Sequence, residues 1–197
     1  MKKGWIVLLA VLGVLVFIGM SLAGFYNGLV ALDEKVTQSW AQVENVYQRR
    51  LDLIPNLVET VKGYAAHEKT TLETITEARA RVGSMNLSQD TITDPQKFQA
   101  FQEAQSGLTS ALSRLLVVSE NYPDLKANQS FIALQAEIEG TENRIAVERG
   151  RFNEAAQAFN TRFRTFPTNV IGGMFGFKVK EYFKSEVGAN KAPKVQF

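Results

Sequence analysis

His67 and Glu68 form the one adjacent pair in this chain that invites comparison with a metal site. A zinc protease helix carries its second histidine four positions after the first, on the same face. That position here is Thr71, and the chain has no second histidine and no cysteine. Transition metals in proteins depend on imidazole and thiolate ligands. The sequence therefore favours a structural or exposed His67 and predicts neither a metal nor another cofactor.

Known catalytic motifs are absent from the sequence. It contains no Gly-x-Ser-x-Gly elbow, no Walker loop and no dinucleotide fingerprint. Gly172, Gly173 and Gly176 punctuate the C-terminal region rather than open a helix after a strand. We therefore expect a protein that is not an enzyme.

Three charged residues fall on positions that helical periodicity assigns to the core: Glu68, Glu142 and Arg149. A buried unpaired charge is costly, so these side chains must either pair or reach water. We hypothesise a buried ion-pair layer that joins Arg149 to Glu68 or Glu142, with Arg114 as a further candidate. Such a layer can fix helix register. The alternative is that these residues flank the core and remain solvated.

A group of polar residues around a proline is the second candidate site, serving either structure or partner binding. Asp52 can cap a helix whose first turn contains Pro55, and nearby arginines can hold carbonyls or carboxylates. Pro55 could instead kink one long helix. We favour the structural role for this group, which comprises Arg49, Arg50, Asp52, Pro55, Asn56, His67 and Glu68.

Apolar residues recur at helical spacing through the rest of the chain, and turn signals divide them into segments. A first helix is expected to run towards Arg50. A second heptad stripe extends from Ile54 to Val82, and the small and polar residues that follow predict a loop up to Asp94.

The second half of the chain contains two further predicted helices. Asp94-Pro95 matches an N-cap followed by proline at the first helical position. That third helix ends near Tyr122-Pro123, and Asp124 is expected to cap the fourth, which runs to Phe166 and stops at Pro167. Short connections make sequential helices antiparallel. We thus predict an all-α, up-and-down four-helix bundle, preferring four helices to three because Asp52 supplies a cap.

The N-terminal region is a predicted membrane anchor. No charged side chain occurs from Gly4 to Leu32, and about 20 apolar residues suffice to cross a bilayer. A cleavable signal peptide ending near Ala23 is the alternative, disfavoured because the apolar run is long for one. Lys2 and Lys3 precede the run, so the positive-inside rule sends the bundle to the outer side of the cell membrane, with a cytoplasmic bundle as the alternative.

Charge and composition narrow the choice of partners. The net charge of +2 equals the contribution of Lys2 and Lys3, so the remainder is neutral. A neutral domain lacks the basic surface that nucleic-acid binding requires. We divide the chain into an anchor at 1–30, a helical bundle at 31–167 and a tail at 168–197.

Several sequence motifs point to one known family. The most specific is the run RRLDLIPNLVETVKGYAAHE from Arg49 to Glu68. With the others, it resembles the LemA family over nearly the whole chain. The resemblance implies a bacterial single-pass membrane protein with a bromodomain-like four-helix bundle, and no activity or cofactor to carry over. The other matching motifs are Tyr26-Asn27, Glu77–Arg79, Phe98–Gln105, Glu120–Lys126, Thr141–Ile145, Phe152-Asn153, Phe159-Asn160 and Ala192–Phe197.

Two functional hypotheses remain at this point. The first is a non-catalytic interaction or scaffold protein of the bacterial envelope, tethered to the membrane beside another membrane protein or a second copy of itself. Gly13 and Gly19 in the anchor permit the close helix approach that self-association needs. The second is a lipid-contacting or membrane-remodelling protein, because aromatic residues and lysines alternate from Met174 to Phe183. For that segment we prefer the other interpretation, in which it docks onto the helical bundle.

Overall fold

A computed structural model describes residues 2–85 and 88–184, apart from the side chains of residues 2 and 3. All regular elements in this part of the chain are helices, which confirms the predicted all-α class. They are α1 (Lys2–Lys62), α2 (Lys69–Gly83), α3 (Pro95–Ser119), α4 (Pro123–Lys126), α5 (Gln129–Arg164) and α6 (Thr168–Met174). The predicted tail beyond residue 184, including the Ala192–Phe197 motif, lies outside the described residues.

Helix α1 changes character along its length without a break. From Gly4 to Leu22 its large apolar side chains are exposed on every face, and this portion is long and apolar enough to cross a membrane. From Leu29 onward the buried residues follow one stripe, at spacings of three, four and seven, as an amphipathic helix requires. The stripe consists of Leu29, Val36, Trp40, Val43, Tyr47, Leu51, Ile54, Leu57 and Val61.

The predicted helix boundary at Asp52 is wrong, because Pro55 lies inside α1. Asp52 does not cap a helix but accepts a hydrogen bond from Gln48 Nε2 at 2.8 Å. A break here would rotate the stripe, whereas the unbroken helix keeps Leu51 and Ile54 on the buried face.

Proline at position 55 has no N–H to donate to the carbonyl of Leu51, four residues earlier. The structure supplies another donor: Arg79 Nε of α2 donates to Leu51 O at 3.0 Å. The carbonyl that Pro55 orphans is thus satisfied by the neighbouring helix, and the helix continues.

The single helix predicted from Ile54 to Val82 is also wrong. Helix α1 ends at Lys62, and a turn over residues 63–68 leads into α2. The apolar spacing hid this turn because Ala65 within it is as buried as Val61 before it. Reversal lets Leu72 and Ile75 join the same core cluster as Leu57, which a continuing helix would have carried away.

The directions of the long helices follow from their contacts. Helices α1 and α5 are antiparallel, since Trp40 contacts Phe152 with ring centroids 5.5 Å apart, while Arg50 further along α1 reaches back to Glu142. Helices α1 and α3 are parallel, because Trp40 contacts Phe98 and Tyr47 contacts Phe101.

Helix α2 is antiparallel to α3, because Glu68 at the start of α2 accepts from Tyr122 Oη just after α3, at 2.9 Å. Two apolar clusters fill the space between the helices. One surrounds Leu57 and Leu108, far from the anchor, and the other surrounds Trp40 and Phe152, near it.

The two predicted N-caps have different outcomes. Asp94 caps α3 as predicted, accepting from Gln96 N at 2.9 Å, with Pro95 at the first helical position. The predicted cap of the last helix at Asp124 is wrong. Pro123–Lys126 forms the short helix α4, and Asn128 caps α5 by accepting from Phe131 N at 3.0 Å.

Arg79 donates the hydrogen bond that Pro55 cannot donate to Leu51 O. The effect of an Arg79 substitution on the free energy of unfolding should therefore depend on whether residue 55 is proline. Arg79→Met keeps the aliphatic stem but leaves the Leu51 carbonyl without its donor, which should cost about 1 to 3 kcal/mol. In a Pro55→Ala background the backbone N–H of residue 55 can bond Leu51 O. There the same Arg79→Met substitution should cost at most about 0.5 kcal/mol. Urea unfolding in detergent micelles, followed by Trp40 fluorescence in chains that carry Trp5→Phe, measures both costs. Equal costs in the two backgrounds would contradict the pairing.

Candidate functional site

A buried arginine forms the main polar cluster between α1, α3 and α5. Arg50 is 1 % exposed. Its Nη1 donates to Glu142 Oε1 at 2.6 Å and to Thr109 Oγ1 at 3.0 Å, and its Nη2 donates to Gln105 Oε1. The guanidinium also lies 5.1 Å from the ring centroid of Tyr47. One cation from α1 therefore binds side chains of two other helices, α3 and α5.

The Arg50 cluster fixes the register of the helices more than it stabilises the fold. Arg50 is fully buried, while the side chain of Glu142 remains 34 % exposed, so the pair is only partly desolvated. Arg50 Nε and Gln105 Nε2 are buried without a hydrogen-bond partner in the described structure. A charge held in this way adds little net stability but penalises any sliding of the helices that would unpair it.

The arginine predicted for the ion-pair layer is wrong. Glu142 does pair across helices, but with Arg50 rather than Arg149. Arg149 instead donates to Lys184 O at 3.2 Å and lies 4.6 Å from the ring centroid of Phe183. Glu68 accepts from Tyr122, and Arg114 is exposed on α3. Helical spacing assigned Arg149 to the core, but its side chain is half-buried at the edge of α5, where its guanidinium contacts the chain after α6.

Two tyrosines near these charged groups have perturbed pKa values. Burial raises the pKa of Tyr47, and the cations Arg149 and Arg50 partly offset this effect. The hydrogen bond to Glu68 raises the pKa of Tyr122. Both phenols therefore stay protonated at neutral pH. Tyr122 donates a hydrogen bond to Glu68, and Tyr47 presents its ring to Arg50. Neither acts as a base.

The rest of the predicted polar group lies on the surface. Arg49 pairs with Glu137 at 2.7 Å between exposed side chains, and such pairs contribute about 0 to 1 kcal/mol. Asn56 is exposed on α1, and its carbonyl accepts from Thr60 Oγ1. His67 is exposed in the turn before α2, not on a helix face. The structure does not bring His67 or Asn56 into the Arg50 cluster.

Two asparagines seven residues apart on α5 hold the segment that follows α6. Asn160 Oδ1 accepts from Lys180 N at 2.8 Å, and its Nδ2 donates to Lys180 O at 2.8 Å. Asn153 does the same for Phe183, with both distances 2.9 Å. An amide side chain matches a peptide unit with one donor and one acceptor. We call residues 177–184 the strap and these two side chains the asparagine clasp.

Side chains of the strap fill the space between the helices. Phe183 is 6 % exposed and contacts four aromatic rings, those of Trp40, Phe98, Phe101 and Phe152. The backbone of Glu181 also donates to Ile92 O at 2.8 Å, which ties the strap to the chain before α3.

Lys180 of the strap brings a buried positive charge to α1. Its Nζ lies 2.6 Å from Asp33 Oδ1 and 5.0 Å from the ring centroid of Phe159. The two charged groups form an ion pair. The strap therefore docks onto the bundle, as preferred from the sequence, and the alternative of lipid contact does not hold for it, because Phe177, Lys180 and Phe183 pack against the helices.

The described surface offers hydrogen-bonding and charged groups in one shallow groove. Within residues 2–85 and 88–184 no group of three or more His, Asp or Glu side chains is arranged to hold a metal ion. A shallow groove between α3 and the strap is lined by Gln102, Gln105, Ser106, Arg149, Glu181 and Lys184 among others. It contains hydrogen-bonding and charged groups but no nucleophile paired with a base.

Comparison with known protein families identifies the family of this chain. The sequence model of the LemA family matches residues 39–197, which include the Arg50 cluster, the Pro55–Arg79 pair and the asparagine clasp. The chain belongs to the LemA family. The resemblance found in the sequence motifs is therefore confirmed.

Relatives of this LemA chain include magnetosome proteins. It is 28 % identical over 198 residues to Magnetosome protein MamQ 1 of Paramagnetospirillum magneticum, covering 92 % of this chain and 72 % of the relative. Magnetosome protein MamQ of Magnetospirillum gryphiswaldense is 27 % identical, with 80 % of this chain and 64 % of the relative covered. Protein LemA of Metamycoplasma hominis is 26 % identical, with coverage of 75 % and 64 %.

Sequence reasoning missed the residues that form the polar contacts of this LemA chain. Arg79, Asn153 and Asn160 appeared only within matching motifs, without a role. Two signals could have identified them. A proline at position 55 orphans the carbonyl of residue 51, which demands a donor. The repeat Phe152-Asn153 and Phe159-Asn160 places two amides on one face of α5, two turns apart.

Removal of one half of the clasp should release the strap. Asn160→Ala leaves the N–H and carbonyl of Lys180 without partners, which should raise the population of the open strap about tenfold or more. Trypsin cleavage after Lys180, followed by intact mass, should accelerate in proportion. Asn143→Ala, an exposed asparagine on the same helix, is the matched control and should cleave at the wild-type rate. An unchanged rate for Asn160→Ala would show that the clasp does not hold the strap.

Proposed function

We propose that this LemA chain is a non-catalytic, membrane-tethered interaction or scaffold protein of the bacterial envelope. The observation that carries the proposal is the continuity of α1, which joins an exposed apolar portion to the core of the helical domain without a linker. A domain attached in this way is held close to the bilayer. Tethering raises the effective concentration of partners in the same membrane, so weak contacts suffice for assembly.

The use of the polar side chains supports a binding role. Arg50, Asn153, Asn160 and Lys180 all engage other parts of the same chain. Each fixes the arrangement of helices and strap rather than presenting a reactive group to solvent. The four long helices, in our proposal, form the antiparallel, bromodomain-like bundle that the family resemblance implies.

Location and partners complete the proposal. We place α1 as a single span in the bacterial inner (cell) membrane, with the helical domain outside the cytoplasm; the opposite orientation is the alternative. The partner is a second copy of the chain or another membrane protein. The MamQ relatives are named for the magnetosome. We infer that LemA chains serve particular cellular assemblies rather than one general reaction.

Photo-crosslinking in native membranes tests the interaction role. A photoreactive amino acid replaces Val117 or Ile132, both exposed apolar residues far from the anchor. Irradiated membranes should yield adducts, identified by mass spectrometry, with a second copy or another membrane protein. Membranes solubilised and diluted in detergent before irradiation are the control, because dilution removes the effect of tethering. Recovery of only uncomplexed monomer from intact membranes would count against the proposal.

A further inference from the structure

Exposed apolar residues gather at the end of the helical domain from which the apolar part of α1 emerges. Phe166 precedes α6, Val170 and Met174 lie on it, and Phe175 follows it. All four side chains are more than half exposed. We call these four residues the collar. Contiguous exposed apolar side chains in an otherwise ordinary surface mark a site of interaction.

The collar is fixed to α1 by close packing. The rings of Phe175 and Tyr26 lie 4.8 Å apart between centroids. Gly172 of α6 approaches so closely that an added Cβ would lie 2.7 Å from a ring carbon of Phe163 and 3.0 Å from Leu29 Cδ1. Helix α6 therefore packs directly against residues 26–29 of α1.

The length of α1 sets the height of the collar above the bilayer. About 20 helical residues cross the hydrocarbon core. A span that starts near Trp5 therefore leaves the core near Phe25. At about 1.5 Å per residue, residues 26–29 lie within roughly 6 Å of that boundary. This distance falls in the headgroup layer, which adds about 5 to 7 Å on each side of the core.

Charges beside the collar suit the same layer. The Arg162 guanidinium lies 5.4 Å from the ring centroid of Phe25, and Arg164 is exposed in the last turn of α5. Asp33, the first acidic residue after the apolar run, is paired with Lys180. Arginines near lipid phosphates, with apolar side chains below them, are the composition of an interfacial segment.

We propose that the collar inserts into the headgroup–acyl boundary of the same bilayer that α1 crosses. The lipid surface is the occupant because the collar is continuous with the apolar face of the span through Tyr26. Two attachments, the span and the collar, fix the tilt and rotation of the helical domain on the membrane. This inference rests on the proposed tether and adds a second lipid contact to it.

Depth-dependent fluorescence quenching tests the collar in the full-length protein. The chain has no cysteine, so a single cysteine can be placed at will and labelled with a polarity-sensitive fluorophore. Val170→Cys and Met174→Cys report on the collar, and Val117→Cys is the matched exposed valine far from it. Val11→Cys reports on the span. The protein is reconstituted in phosphatidylcholine vesicles with phosphatidylglycerol, and lipids carry a spin label either near the headgroup or deep in the acyl chain.

The expected pattern separates the collar from the tether. Labels at 170 and 174 should lose most of their fluorescence with the shallow spin label, the label at 11 with the deep one, and the label at 117 with neither. Quenching at 11 without quenching at 170 and 174 would overturn the collar alone. Absence of quenching at 11 would overturn the tether, and the collar with it.

Discussion

The structure depends on one constraint: helix α1 runs without a break from an exposed apolar portion into the core of the helical domain. As the proposed membrane anchor, helix α1 must be apolar all round where lipid surrounds it, and it must be apolar along one stripe where other helices cover it. A bend or linker between the two parts would uncouple the domain from the membrane. The sequence meets the constraint with a charge-free run up to Leu32 and an in-phase stripe from Leu29 to Val61.

Continuity in the domain requires compensation at two places. Pro55 interrupts the hydrogen bonds of α1, and Arg79 of α2 replaces the missing donor. Arg50 brings a charge into the core, and residues from α3 and α5 bind it. In both cases a neighbouring helix satisfies a polar group of α1. The polar contacts thus determine which helices can lie beside α1 and at what register.

The strap holds the helices together around Trp40 and Phe152, in the half of the domain nearer the apolar part of α1. Burial of Phe183 contributes about 1.5 to 3 kcal/mol, but only if the strap backbone keeps hydrogen-bond partners as it leaves water. The asparagine clasp provides these partners at Lys180 and Phe183. Lys180 then reaches Asp33 on α1. The segment whose aromatic residues and lysines alternate is therefore part of the core, and the exposed apolar side chains lie instead on α6 and next to it.

The sequence predicted what periodicity and composition encode: the all-α class, the apolar span, the loop after Gly83 and the Asp94 cap. It did not reveal the turn at residues 63–68, because Ala65 continues the apolar spacing of the two helices that the turn separates. It also misassigned the partner of Glu142. Which of several arginines meets a given carboxylate depends on the packing of helices distant in the chain, and helical spacing carries no information on that.

A distance between two labels tests whether α1 is one continuous helix from its apolar portion into the helical domain. Spin labels at Val16 and Asn45, exposed residues on one face of α1, are separated by roughly 29 residues, or about 44 Å at about 1.5 Å per residue. Pulsed electron paramagnetic resonance on the full-length protein in nanodiscs should give one narrow distribution near that value. A broad or markedly shorter distribution would contradict a continuous helix, and a mature chain that has lost the label at position 16 by cleavage near Ala23 would contradict a retained anchor.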